Sequence, residues 1–125
     1  MCIRDRGGGV YVTGKGSFTM SASADGQNIP SITGNNATEN GGGVYVIGSS
    51  STFEMTGGSI TGNNAYKSDY ISTFGGGVCV GNGTFTMTDG SITGNNAAYG
   101  GGVYTVNEFK TVSYTHLTLP TILLV

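Results

Sequence analysis

Chemistry in this chain has to come from few side chains. Between Gly7 and Lys110 there are six carboxylates (Asp25, Glu39, Glu54, Asp69, Asp89, Glu108) and three lysines (Lys15, Lys67, Lys110), with no arginine or histidine. General acid–base work needs two groups held within reach of one substrate, and glycoside hydrolysis needs paired carboxyls about 5–10 Å apart. The repeat pattern developed below scatters these acids instead. Glu54 falls on the outward side of a strand where its counterparts are Thr19 and Thr86, and Asp89 falls in a turn where another unit has Gly57. Asp25 and Asp69 fall in different insertions. No catalytic residue, metal-ligand set or cofactor site is therefore expected in this segment.

Other motif matches are incomplete. Gly9 to Lys15 reads G-x-x-x-x-G-K, but Gly16 stands where a phosphate loop needs Ser or Thr, and a strand follows where a helix is required. Asn36-Ala37-Thr38 and Asn82-Gly83-Thr84 fit the glycosylation pattern, the first of them within a repeated corner. Cys79 replaces the tyrosine of Tyr11, Tyr45 and Tyr104, which predicts a surface-facing thiol, and one thiol closes no internal disulfide.

The two ends differ from the middle. Of 125 residues, 24 are Gly and two are Pro, with no Trp and a formal charge of −2, so no electrostatic reason exists to expect nucleic acid as a partner. Glycine costs about 1 kcal/mol per residue in a helix interior, which leaves all-β structure. Both arginines, the single histidine and most of the leucine lie in MCIRDR (1–6) and in the tail that begins TVSYTHLTLPT (111–121). These strings resemble translations of a transposon mosaic-end sequencing adapter, one in each orientation. Residues 1–6 and 111–125 are accordingly expected to be adapter-derived and are set aside. The remainder, 7–110, has six acids against three lysines, a net of −3. It is expected to be a fragment of a longer protein. The run Ile122 to Val125 is far shorter than the roughly 20 apolar residues of a membrane helix.

The middle is a repeat. GGGV recurs at Gly7, Gly41, Gly75 and Gly100, and SITGNNA begins at Ser31, Ser59 and Ser91, with F-x-M between them at Phe18, Phe53 and Phe85. Each unit holds three short stretches rich in β-branched and aromatic residues, separated by Gly, Asn and Ser turns, and this reads as three strands. Alternation puts Val44 and Val46 on one face with Tyr45 opposite, Phe53 and Met55 on one face with Glu54 opposite, and Ile60 between hydroxyl residues. One apolar face per strand predicts three walls around a common core. The fold expected is an all-β parallel β-helix, a solenoid of about three and a half coils with three short strands per coil. The coils are 7–40, 41–74, 75–99 and a partial 100–110. Asn35, Asn63 and Asn95, with Asn36, Asn64 and Asn96, are expected to stack at one corner and bond from rung to rung, as amides do in other cross-β stacks. A propeller blade, the alternative, needs four strands and about 40 residues.

Two insertions locate themselves by comparison between units. Ser21 to Pro30 separates the second and third strands of the first unit, and Tyr66 to Phe74 follows the Asn corner of the second. Both are expected to protrude as loops. Tyr66, Lys67, Asp69 and Tyr70 form the candidate ligand-contact loop, an aromatic and charged cluster suited to sugar or protein. The competing expectation is that a corner merely tolerates length, which costs little.

With GGGVYV and SITGNNA in place, the segment resembles the right-handed parallel β-helix repeats of bacterial surface proteins, and is similar to the polymorphic outer membrane protein type. Gly42, Gly43, Val44 and Tyr45 match that family's Gly-Gly-aliphatic block. Ile60, Thr61, Gly62 and Asn63 match its F-x-x-N block loosely, with Ile where Phe is frequent. The resemblance implies a right-handed coil that is secreted or displayed on a bacterial envelope. It further implies a structural or adhesive role, partners among host surface proteins or glycans, and neighbouring coils of the same parent chain. Such coils also occur in pectin-degrading enzymes, so the alternative is a non-catalytic part of a pectate-lyase-like enzyme.

Overall fold

The computed structural model describes residues 8–66, 72–106, 108–111 and 122–124, the last two segments as backbone only. All the regular structure among the described residues is β, and every strand pairing is parallel. The strands stack by repeat position, which is compatible with a β-helix or solenoid.

The GGGV blocks feed the first stack. It runs β1 (Val10–Val12), β5 (Val44–Val46), β9 (Val78–Val80), β12 (Val103–Thr105) and β14 (Ile122–Leu124). Val10, Val44, Val78 and Val103 stand in one register column. The F-x-M stretches form the second stack: β2 (Ser17–Met20), β6 (Thr52–Met55), β10 (Thr84–Met87) and β13 (Glu108–Thr111). The third contains β3 (Ser31–Thr33), β7 (Ser59–Thr61) and β11 (Ser91–Thr93). A fourth, two-residue stack joins β4 (Asn36–Ala37) to β8 (Asn64–Ala65), and an isolated parallel bridge links Asn64 to Asn96. The expected Asn corner is thus itself a short strand. Three strands per unit understates the first two units.

Period-two alternation explains the core. Val44, Val46, Val78, Val80, Phe53, Phe85, Met55, Ile60 and Ile92 are fully or almost fully buried, while Thr52 and Glu54 face solvent. The phenyl rings of Phe18, Phe53 and Phe85 stack with centroids 5.0 and 4.7 Å apart. Like residues meet because parallel neighbours lie one strand spacing apart, about 4.8 Å. In the first unit Val10, Phe18 and Ile32 are only partly covered, since a neighbouring rung lies on one side of them.

The glycine triplets fit two different constraints. Gly41, Gly75 and Gly100 have φ of 66°, 67° and 60°, in the left-handed region. The second and third glycines are selected by space: a methyl on Gly42 would stand 2.6 Å from the Asn64 nitrogen, and one on Gly43 would stand 2.7 Å from the Gly77 carbonyl oxygen. The triplet places the chain against the next rung so closely that only hydrogen atoms fit.

Two residue-level expectations change. Cys79 is not surface-facing: it is 3 % exposed. The chain folds back at Gly75, where a methyl would lie 2.8 Å from the Cys79 Cα, and Tyr45 and Tyr104 flank the residue in register. Tyr45, the neighbouring residue in the same column, is likewise only 8 % exposed. The second insertion also does not protrude along its whole described length. Thr73 is buried, donating from its hydroxyl to the Ala65 carbonyl (2.6 Å) and accepting from the Ala98 N–H (3.1 Å).

The C-terminal string read as foreign contributes strand structure. Val103, Tyr104 and Thr105 pair with Ile122, Leu123 and Leu124, and Thr111 pairs with Met87. A β-branched or leucine-rich stretch next to an open sheet edge satisfies that edge whatever its origin.

Candidate functional site

The Asn corner is the most highly bonded polar feature. Asn63 is buried and its amide uses its full capacity: Nδ2 donates to the Ile32 carbonyl and to Asn95 Oδ1, both at 2.9 Å. Its Oδ1 accepts from the Asn35 backbone N–H and from Asn35 Nδ2, both at 3.0 Å. Asn95 repeats the pattern toward the Asn63 N–H and the Ile60 carbonyl. Outside this ladder, Asn96 Nδ2 donates to Asn64 Oδ1 at 2.9 Å. The expected rung-to-rung bonding is present. Because every side-chain donor and acceptor of Asn63 is spent within the protein, its amide is a structural device with no valence left for a ligand.

The first insertion is closed upon itself. Ser23 N–H donates to the Asn28 carbonyl (2.9 Å), Gly26 N–H to the Ser23 carbonyl (3.0 Å), and Asn28 N–H to Ser23 Oγ (3.0 Å). At the tip, Asp25 Oδ1 accepts from Ser23 Oγ at 2.5 Å and from the Gln27 N–H at 2.9 Å. These bonds, led by the one from Ser23, hold the Asp25 carboxyl below its ordinary pKa. A shallow cleft of 620 Å³ lies beside the loop, lined by Ser21, Ser23, Gln27, Asn28, Ile29 and Pro30 among others. Ile29 is exposed in it.

The second insertion holds the candidate contact loop, of which only Tyr66 is described. The residue is 62 % exposed and its N–H is fixed to the Ala37 carbonyl at 2.9 Å. Lys67, Asp69 and Tyr70 lie outside the described residues.

An aromatic ridge on the outer side of the first stack was not anticipated. Tyr11 and Tyr45 stack at 5.6 Å, Phe74 and Tyr99 stack at 5.3 Å, and Phe74 tilts against Tyr104 at 4.5 Å. Phe74 and Tyr99 pair as a parallel bridge because each immediately precedes a glycine triplet. Asn40 occupies the same place in the first unit, its Oδ1 accepting from the Phe74 N–H at 3.0 Å. Alignment of the residue before each GGG block would have found this column. Tyr11 and Tyr99 remain 45 % and 49 % exposed.

Among the described residues, Glu54 and Asp89 lie at different places in the repeat. In register, Glu54 is flanked by Thr19 and Thr86, and Asp89 lies in the turn after β10, its carboxylate accepting from the Gly90 N–H. Among the described residues no group of three or more His, Cys, Asp and Glu side chains could hold a metal ion. Burial pushes the Cys79 thiol up to about 12, so it is protonated at neutral pH and a poor nucleophile. No helix among the described residues is long and apolar enough to cross a membrane.

No family model, curated protein or solved structure matches the chain.

Proposed function

We propose that this chain is a section of a right-handed parallel β-helix, about three and a half coils long, serving as a structural and adhesive scaffold without catalysis of its own. The parent protein is secreted or displayed on a bacterial envelope, and adjoining coils continue the stack. The contact surface for a host protein or glycan is the loop carrying Tyr66, Lys67, Asp69 and Tyr70. The observation that favours a scaffold is the disposition of the polar groups. The amides of Asn35, Asn63 and Asn95 bond from rung to rung, while Tyr66 is exposed on an insertion anchored at both ends by Ala37 and Thr73. Rigid elements presenting a variable loop are the usual arrangement for recognition.

The test is binding of the immobilised chain to arrays of glycans and extracellular-matrix proteins, wild type against Tyr66→Ala and Tyr70→Ala. The reading expects a ligand whose affinity drops at least about tenfold in either variant, the loss of one aromatic anchor. Unchanged binding in both variants contradicts the loop assignment, and turnover of a polygalacturonate by the chain contradicts the scaffold role.

A further inference from the structure

Two Asp-Gly steps lie among the described residues, Asp25–Gly26 and Asp89–Gly90, and sequence alone gives them equal standing. Their geometry differs. At the first, the Gly26 N–H is held by the Ser23 carbonyl at 3.0 Å, and the Asp25 carboxylate is turned to Ser23 Oγ and the Gln27 N–H. At the second, the Gly90 N–H points at its own neighbour's carboxylate, 2.7 Å from Asp89 Oδ1, which brings the nitrogen alongside the Cγ that carries that oxygen. Asp89 is exposed, so water reaches the carboxyl group.

We propose that Asp89–Gly90 is a site of spontaneous backbone modification, converting to isoaspartate through a cyclic imide, whereas Asp25–Gly26 is protected. In the first step the Gly90 nitrogen attacks Cγ of the protonated Asp89 carboxyl. A Cγ–N bond forms, the Cγ–OH bond breaks, and the amide proton leaves with the hydroxyl as water. Water then adds to either imide carbonyl, returning aspartate or giving isoaspartate, whose backbone runs through Cγ and is one methylene longer. A nitrogen held by hydrogen bond to the carboxyl it attacks has the usual advantage of positioning. Glycine as the following residue leaves the attacking nitrogen unhindered.

The turn has little room to take up the extra length. Gly90 has φ +106° and is packed so closely on the neighbouring rung that a methyl on it would meet the Met55 Cε at 2.7 Å and the Gly58 carbonyl oxygen at 2.8 Å. The turn leads directly into Ser91, whose N–H donates to that same Gly58 carbonyl at 3.0 Å. Lengthening the backbone at Asp89 therefore shifts β11 against β7 and loosens the Asn63–Asn95 bond beyond it. Each conversion opens one rung of the stack.

The whole chain is aged in mildly acidic buffer, with and without urea, and isoaspartate is quantified at each position by peptide mapping. In native buffer, residue 89 is expected to convert about tenfold or more faster than residue 25, the size of a positioning effect, and in urea the ratio is expected to fall toward one. Isomerisation leaves the mass unchanged, which separates it from deamidation at the Asn82–Gly83 step. Ser23→Ala should raise the rate at Asp25, and Asp89→Gly, which copies Gly57 of the second unit, should abolish the modification while keeping the turn. Aged native protein should also lose hydrogen-exchange protection at Ser91. A native ratio of one or less, or a ratio unaltered by urea, overturns the proposal.

Discussion

Two corners of the repeat solve the same problem in opposite ways. At Asn35, Asn63 and Asn95 the turn is stabilised by the rungs above and below, each amide bonding into the next unit. At Ser21 to Pro30 the chain makes its bonds within the loop, from Ser23 to Asn28 and from Asp25 to Gln27. The first corner keeps the same NN dipeptide in all three units, while the second runs through ten residues in one unit and a few in the others. A corner that borrows its hydrogen bonds from its neighbours has to repeat; one that supplies its own is free to vary. The ten-residue length of the Ser21 to Pro30 corner is therefore tolerated where the polar groups are satisfied locally.

Substitutions in the two regions should separate strongly. Phe85→Ala removes a ring stacked on Phe53 in the buried column beneath both corners, and should destabilise by about 3–5 kcal/mol in urea melts. Asn63→Ala deletes four hydrogen bonds and leaves the Asn35 N–H and Ile32 carbonyl without that partner; a loss of about 3 kcal/mol is expected, each orphaned buried group costing about 1–3 kcal/mol before relaxation. Replacing Ser23 to Asn28 by a short Gly-Ser link should cost less than about 1 kcal/mol, since closure entropy changes slowly with length. If the loop replacement destabilises as much as Asn63→Ala, the contrast between the corners is lost. Acid should loosen the loop: the Asp25 pKa is depressed, so its bonds persist above the ordinary value of 3.8 and are lost as pH falls through the lower native value. Exchange protection of the Gln27 N–H followed by NMR during an acid titration should fall first, with the Asn ladder unaffected.

Cys79 sharpens the comparison at the outer face. With the native thiol pushed up to about 12 from an ordinary 9.0, the folded state holds its proton where the unfolded state loses it. Stability is then expected to be level below pH 9 and to fall as pH rises from 9 toward 12. Thiol-reactive probes at neutral pH should label the chain slowly, and quickly in urea; rapid native labelling would place Cys79 outside.

The sequence carried the inward ladders because alternation needs no tertiary information: Val44 and Val46, Phe53 and Met55, and Ile60 all lie inside as their period-two pattern requires. The Asn ladder was also legible, since identical residues at a fixed place in each unit must meet if the units stack. Cys79 was not, because its column reads as outward by alternation, whereas the chain folds back over it at Gly75. The pairing of Phe74 with Tyr99 was legible only in the residue that precedes each glycine triplet, a place outside the period-two strands. The paired Asn-Ala strands were too short for any periodicity to mark. Of the candidate contact loop, Tyr66 is exposed as expected, and Lys67, Asp69 and Tyr70 lie outside the described residues.

The central claim is that each unit lies parallel on the next in the register set by its motifs. Inter-strand backbone contacts measured by NMR on the whole chain test it directly. The account predicts contacts between Val44 and Val78, Phe53 and Phe85, and Ile60 and Ile92, all with parallel connectivity. Antiparallel contacts within a unit, such as β1 against β2, would show hairpins in place of stacked coils and contradict it.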